Sequence, residues 1–156
     1  MTNTAKKSRR SLRWVAAVSV LSLGVLSGCT GSSIKSFDPN LPTVKTSENL
    51  QFQNINPMIK MAAAYGDKSA GGHGTFGKFP ANFKTPEHTH TNAYHGVVLK
   101  GVMTNPFNGD KNPPKMQSGS YWYVPAGVEH ATACVSNTPC EFYFHADSAF
   151  DFHPVK

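Results

Sequence analysis

After Arg13 the chain contains no arginine, and only 15% of its residues are charged. Lys6, Lys7, Arg9, Arg10 and Arg13 crowd the first 13 positions, whereas all nine Asp and Glu lie beyond residue 28. The formal +6 therefore belongs to the N-terminus, and the remainder is close to neutral. A near-neutral domain without a basic stripe cannot supply the electrostatic grip that holds phosphate backbones, which excludes nucleic acid as a partner. Long apolar runs are scarce as well. Val15–Leu26, mostly apolar, is 12 residues long, short of the roughly 20 that a membrane-spanning helix needs. No segment joins sufficient length to a 3.6-residue period, so no helix is expected with conviction. Neither an internal repeat nor a low-complexity tract is present.

The basic front and short apolar stretch have the form of an export signal over residues 1–28, outside the fold. The stretch ends at Leu26-Ser27-Gly28-Cys29, which resembles the bacterial lipobox, in which the cysteine is lipidated and becomes the new N-terminus. An uncleaved anchor or an ordinary signal with an incidental cysteine is the alternative. Thr30 is not the aspartate linked to inner-membrane retention, so the expected location is the cell envelope, lipid-anchored to the outer membrane on its periplasmic face. Residues 29–52 are polar, contain proline and read as the lipidated end and a tether. Residues 53–156 are long enough for one domain.

Three cysteines occur in all. With Cys29 consumed by lipid, Cys134 and Cys140 form an even remainder outside the reducing cytosol. They flank the turn-like Val135-Ser136-Asn137-Thr138-Pro139, and a disulfide between them is expected, two free thiols being the alternative.

From Met58 onward, short apolar or aromatic runs alternate with Gly, Pro and Asn. Strands are expected at Met58–Tyr65 (helix being the alternative for its alanine run), Gly74–Pro80, His88–His90, His95–Met103, Gly119–Val124, Val128–Val135 and Cys140–His145. Residues 105–118 form the long connection. Strands at such spacing indicate a sandwich or barrel.

The chemistry is carried by histidine. His88 and His90 sit two apart, so a strand places both rings on one face. His95 follows five residues on. A Pro125-Ala126-Gly127 turn precedes His130 and can aim it at the same point; it fits a type I turn with proline second and glycine fourth. Neutral imidazoles converging on one point suit a borderline transition metal rather than calcium or magnesium. His95 is offset from His90 by an odd number, so it reaches the same face only through a bulge or bend at residues 91–94. Without one, it faces solvent and three ligands remain. Glu87 and Glu129 adjoin ligands and should point away from the metal. His73, His145 and His153 are expected to be structural or exposed.

These spacings resemble the cupin superfamily. Its second motif, G-x5-P-x-G-x2-H-x3-N, is matched by Gly119, Pro125, Gly127 and His130, with Cys134 in place of asparagine. Its first motif is matched by His88 and His90; His95 stands where the family has glutamate, and Gly101 arrives one residue early. A narrower likeness is to small cupins of bacterial envelopes that carry a domain of unknown function. The resemblance implies an all-β, jelly-roll (double-stranded β-helix) barrel with one divalent transition metal in its mouth. Fe or Mn is favoured by analogy, with Zn, Ni, Cu or Co able to substitute; a homodimer is the family default. All-imidazole ligation leaves the full +2 charge, which favours a small anionic or oxygen-rich ligand. Tyr94, Tyr121 and Tyr123 could donate to it, although core packing competes as their role. Two readings follow: a dioxygenase-like oxidoreductase, or a non-catalytic module that binds a metal or small ligand at the envelope. A structural envelope protein with an incidental histidine cluster is the third.

Overall fold

The computed structural model describes residues 37–156, together with Met1. The signal over 1–28 and the lipidation at Cys29 lie outside the described residues. Among those described, the structure is all-β apart from one 3-10 turn at Ser47–Asn49. Eleven strands occur in chain order: β1 (Gln53–Asn54), β2 (Lys60–Tyr65), β3 (His73–Phe79), β4 (Phe83–Lys84), β5 (His88–Thr89), β6 (Tyr94–Lys100), β7 (Met103–Thr104), β8 (Tyr121–Val124), β9 (Ala133–Cys134), β10 (Cys140–Ala146) and β11 (His153–Pro154). The Met58–Tyr65 segment is thus a strand over most of its length. β1, β4 and β11 are each two residues long, too short to leave a periodic pattern in the sequence.

Six strands make one antiparallel sheet in the order β1-β2-β3-β10-β6-β8. β4-β9-β7 and β11-β5 form two smaller sheets. This is the jelly roll. The 105–118 connection is partly paired as well: Phe107 bridges His130, and Met116 bridges Met103.

Strict alternation sets what faces inward. In β10 Cys140, Phe142, Phe144 and Ala146 are buried, while Glu141, Tyr143 and His145 between them are partly exposed. In β8 Trp122 and Val124 point in, and Tyr121 and Tyr123 point out. The core joins Phe79, Tyr94, Val98, Met103, Trp122, Val124, Phe142 and Phe144. Gly96 of β6 is what lets Trp122 cross it, because a Cβ there would lie 2.1 Å from the indole ring.

Cys134 and Cys140 are joined by a disulfide with a sequence separation of 6. It ties β9 of the three-stranded sheet to β10 of the six-stranded sheet. In the chain-entropy view, closing so short a loop contributes about 2 kcal/mol. The doubly substituted Cys134→Ala/Cys140→Ala protein is therefore expected to unfold about 2 kcal/mol more easily in urea. An unchanged midpoint would show that the bridge adds nothing to the native state.

The described part of the expected tether lies against the barrel. Phe37 packs on Tyr65 with ring centroids 5.0 Å apart, and Lys45 Nζ donates to the Ala63 carbonyl at 3.1 Å.

Candidate metal centre

His88 and His130 are held together by main chain before any side chain acts. His88 N–H donates to the His130 carbonyl at 2.9 Å, and His130 N–H returns the bond at 3.0 Å. Directly opposed residues of an antiparallel pair project to the same face, and the two ring centroids lie 4.2 Å apart. His90, two residues after His88, shares that face, 4.9 Å from His88 and 5.2 Å from His130 by ring centroid. One ring nitrogen from each imidazole lies within 4.8 Å of those of the other two. All three residues are buried.

The turn before His130 differs from the type expected. Pro125 is its first residue, since Val128 N–H reaches the Pro125 carbonyl at 3.4 Å. Gly127 is therefore third, with φ +71°, the type II position that calls for glycine. Gly127 N–H donates to the His90 carbonyl at 2.9 Å. The glycine thus links the two motifs through the backbone.

Each ring is fixed by its other nitrogen. His88 Nδ1 donates to the Pro86 carbonyl at 2.8 Å and His130 Nδ1 to the Val128 carbonyl at 3.0 Å. His90 Nδ1 donates to the Asp151 carbonyl. A neutral imidazole that donates through Nδ1 has its lone pair on Nε2. Burial pushes His88 and His90 down to about 4, and lowers His130 for the same reason. At neutral pH all three rings are unprotonated, as metal ligation requires. His90 Nε2 is buried without a hydrogen-bond partner, an arrangement costly to a native protein unless something fills the place. The donor set fits a divalent transition metal.

Tyr94, at the start of β6, points into the same cavity with its hydroxyl 3.2 Å from His130 Nε2. Because that nitrogen is the acceptor, the phenol donates. Burial raises Tyr94 to about 12, so it remains protonated. The cavity measures about 70 Å³ and includes His88, His90, Thr85, Thr132, Trp122 and Phe144 in its wall. No carboxylate of the described residues lines it. A larger open groove of about 460 Å³ runs past Lys84, Glu87 and Asp110, and none of the three imidazoles lines it.

Several residues of this site escaped sequence reasoning. The end of the chain crosses the barrel mouth, where β11 pairs with β5. Phe150 stacks on His90 with centroids 4.2 Å apart, and Phe152 stacks on His88 at 4.2 Å. Asp151, between them, takes the His90 Nδ1 proton on its carbonyl and the Thr91 N–H on Oδ1 at 2.8 Å. Burial opposes ionisation of Asp151, but Thr91 and His153 outweigh it and hold the carboxyl at about 2. The one sequence signal was the alternation Phe150-Asp151-Phe152-His153.

His95 is not a ligand in this geometry. It occupies an outward position of β6, paired with Tyr123 and His145 in register, and its Nδ1 bonds the Tyr121 hydroxyl. Residues 91–93 do turn the chain, but Tyr94, not His95, emerges on the inner face. The four-imidazole expectation is corrected to three. Tyr121 and Tyr123 are likewise outside the pocket, 58% and 44% exposed, because β8 gives its inner face to Trp122 and Val124. Glu87 pairs with Lys84 at 3.0 Å. His73 is buried against Thr75, while His145 and His153 lie at the surface beside Asp147 and Asp151.

Solved structures of the same architecture are numerous. The polyketide cyclase RemF from Streptomyces resistomycificus superposes with a TM-score of 0.64 at 15% identity, covering 74% of this chain and 87% of its own. KdgF from Halomonas sp. gives 0.57 at 13%, covering 69% and 94%. An RmlC-like cupin from Shewanella frigidimarina gives 0.57 at 15%, covering 69% and 92%. These likenesses show the fold. No curated protein matches the sequence significantly. Residues 43–156 match the family described as domain of unknown function DUF4437. The topology and the solved neighbours show a cupin-like jelly-roll fold, and the match over residues 43–156 places the chain in the DUF4437 family.

Proposed function

We propose that the protein is an envelope lipoprotein whose barrel binds one divalent transition metal, Fe or Mn by preference, through His88, His90 and His130. In this reading it acts as a dioxygenase-like oxidoreductase on a small anionic, oxygen-rich molecule. The observation that carries the reading is the set of three buried, neutral imidazoles whose Nδ1 protons are all taken by main-chain carbonyls. A site with three protein ligands leaves positions for substrate, as in catalytic rather than structural centres. When bound, such a metal supplies Lewis acidity and a template for two oxygen donors, and a redox-active one supplies O2 chemistry.

The chain's own residues do the rest. Neutral imidazoles would leave the full charge of a bound divalent ion uncompensated, which would favour an anionic head in the pocket. The lone pair of His130 Nε2 serves one partner at a time; whatever takes it frees the Tyr94 hydroxyl to donate into the cavity. Tyr94, held at about 12, is a hydrogen-bond donor there and not a base near neutral pH. Gentisate is bound by salicylate 1,2-dioxygenase from Pseudoaminobacter salicylatoxidans, a structural neighbour with a TM-score of 0.50; its presence supports a small oxygenated ligand for this barrel.

A second reading, binding or sensing without turnover, is favoured by a cavity wall to which the described residues contribute no carboxylate. Oxygen uptake by the purified, iron-loaded protein against diketones, thiols and hydroxy acids separates the two. Uptake with one of these classes is the expected result. Stoichiometric iron with no uptake against any class would leave the binding module. The envelope assignment rests on the N-terminal charge, the short apolar stretch and Leu26-Ser27-Gly28-Cys29.

A further inference from the structure

One aromatic ring stands exposed at the edge of the cavity. Among its lining residues Ile59, Met61 and Phe150 are half-buried, and Phe152 alone is exposed, at 43%. One face of that ring lies on His88, nearly parallel at 21°. The cavity's 70 Å³ is less than half the roughly 150 Å³ that accommodates a benzene ring. Within that volume water, O2 or a two-carbon anion fits beside His88 and His90, and a ring-bearing ligand does not.

The segment that carries Phe152 is fastened unevenly. Up to Asp151 it belongs to the ligand shell: Phe150 N–H donates to the Lys68 carbonyl at 2.7 Å, Phe150 stacks on His90, and Asp151 bonds both His90 and Thr91. Beyond Asp151 the hold is slight. It consists of the pairs His153↔Thr89 and Pro154↔His88, one bond from Val155 N–H to the Glu87 carbonyl at 2.9 Å, and the bonds of the exposed His153 ring. A two-residue ladder with exposed side chains belongs to the part of a fold that opens most readily.

We infer that residues 152–156 form a door hinged at Asp151, and that Phe152 determines the size of ligand admitted to the imidazole site. Closed, the door admits species of a few atoms. Swung aside, it uncovers His88 and the aromatic wall to an anion that carries a ring. The inner anchor at Asp151 lets this happen without disturbing the orientation of His90. This inference rests on the metal reading above and adds the selection of ligand.

Cobalt(II) is a suitable probe, because its visible spectrum reports both metal occupancy and a change of ligand. The full-length protein and its Phe152→Ala and Phe152→Trp variants would be loaded with cobalt, assayed for metal content and titrated with acetate and with benzoate. Phe152→Ala is expected to tighten benzoate roughly tenfold or more, the scale on which pocket size discriminates, while acetate changes less than about twofold. Phe152→Trp is expected to weaken benzoate and spare acetate. Should Phe152→Ala fail to hold cobalt, the Trp variant carries the test alone. Equal effects on both anions, or none on either, would overturn the door while leaving the metal site standing. A wild-type protein that binds no cobalt would overturn the metal reading and the door together.

Discussion

Replacing His130 with alanine is expected to remove stoichiometric metal from the protein, with affinity lowered more than about 100-fold. Even groups that merely orient a ligand are worth 10–100-fold, and His130 is one of three direct donors. The same result is expected for His90→Ala, whereas His95→Ala should keep one metal per chain, because His95 faces solvent on the outside of the sheet. Metal analysis of the three variants after identical loading reads this directly. The fold must be checked alongside. Loss of the His130 ring leaves the Val128 carbonyl and the Tyr94 hydroxyl without their partner, at about 1–3 kcal/mol. Far-ultraviolet circular dichroism and a urea midpoint of the apo variant distinguish a missing ligand from an unfolded barrel. Metal retained by His130→Ala at wild-type affinity would disprove the three-imidazole centre.

That contrast between His130 and His95 also shows what could be read from residues alone. The pair His88 and His90 was legible because strand alternation is local: two positions on, the side chain returns to the same face. His130 was legible because a proline–glycine turn announces the start of a new segment. His95 was misplaced because the outcome depended on how many residues the bend after His90 consumes, and no residue type in Thr91-Asn92-Ala93 records that number. The bend delivers Tyr94 inward instead, which left a phenol where a fourth imidazole was expected.

The C-terminal contribution was illegible for a different reason. His90 and Asp151 are 61 residues apart, and the bond between them uses a backbone carbonyl, which every residue possesses. Only the aromatic alternation of Phe150 and Phe152 marked the segment, and a two-residue strand cannot be distinguished from coil by periodicity. The turn at Pro125 illustrates the same limit on a smaller scale. Proline and glycine fixed its existence, but whether Pro125 stands first or second decides between type II and type I, and the hydrogen bond from Val128 settles that only in three dimensions.

Acid should separate the metal-bound and metal-free proteins, in a direction set by the depressed histidines. Burial holds His73, His88 and His90 at about 4 in the folded chain, against an ordinary value of 6.5. Between those values the unfolded chain binds protons that the native one refuses, so native stability falls as pH falls from about 6.5 to about 4 and then levels off for these groups. Each ring accounts for about 3 kcal/mol at most. Two or three of them together approach the whole stability of an ordinary domain, about 5–15 kcal/mol. Asp151, depressed to about 2 from 3.8, withdraws further stability as pH falls through that lower window. The apo protein is therefore expected to lose its fold between about pH 6 and 4 in a thermal or urea series. Metal binding to the folded site should behave differently. Rings that burial pushes below the ordinary histidine value compete less with the metal, so affinity should fall less from pH 7 to about 6, where the apo fold persists, than that of an exposed histidine site, which weakens from about 6.5 downward. Chelator competition at fixed free-metal concentration across that range, paired with melting curves of both forms, checks the two halves together. Affinity that declines already from pH 7, in step with exposed histidine, would mean that the three rings are not held neutral by burial.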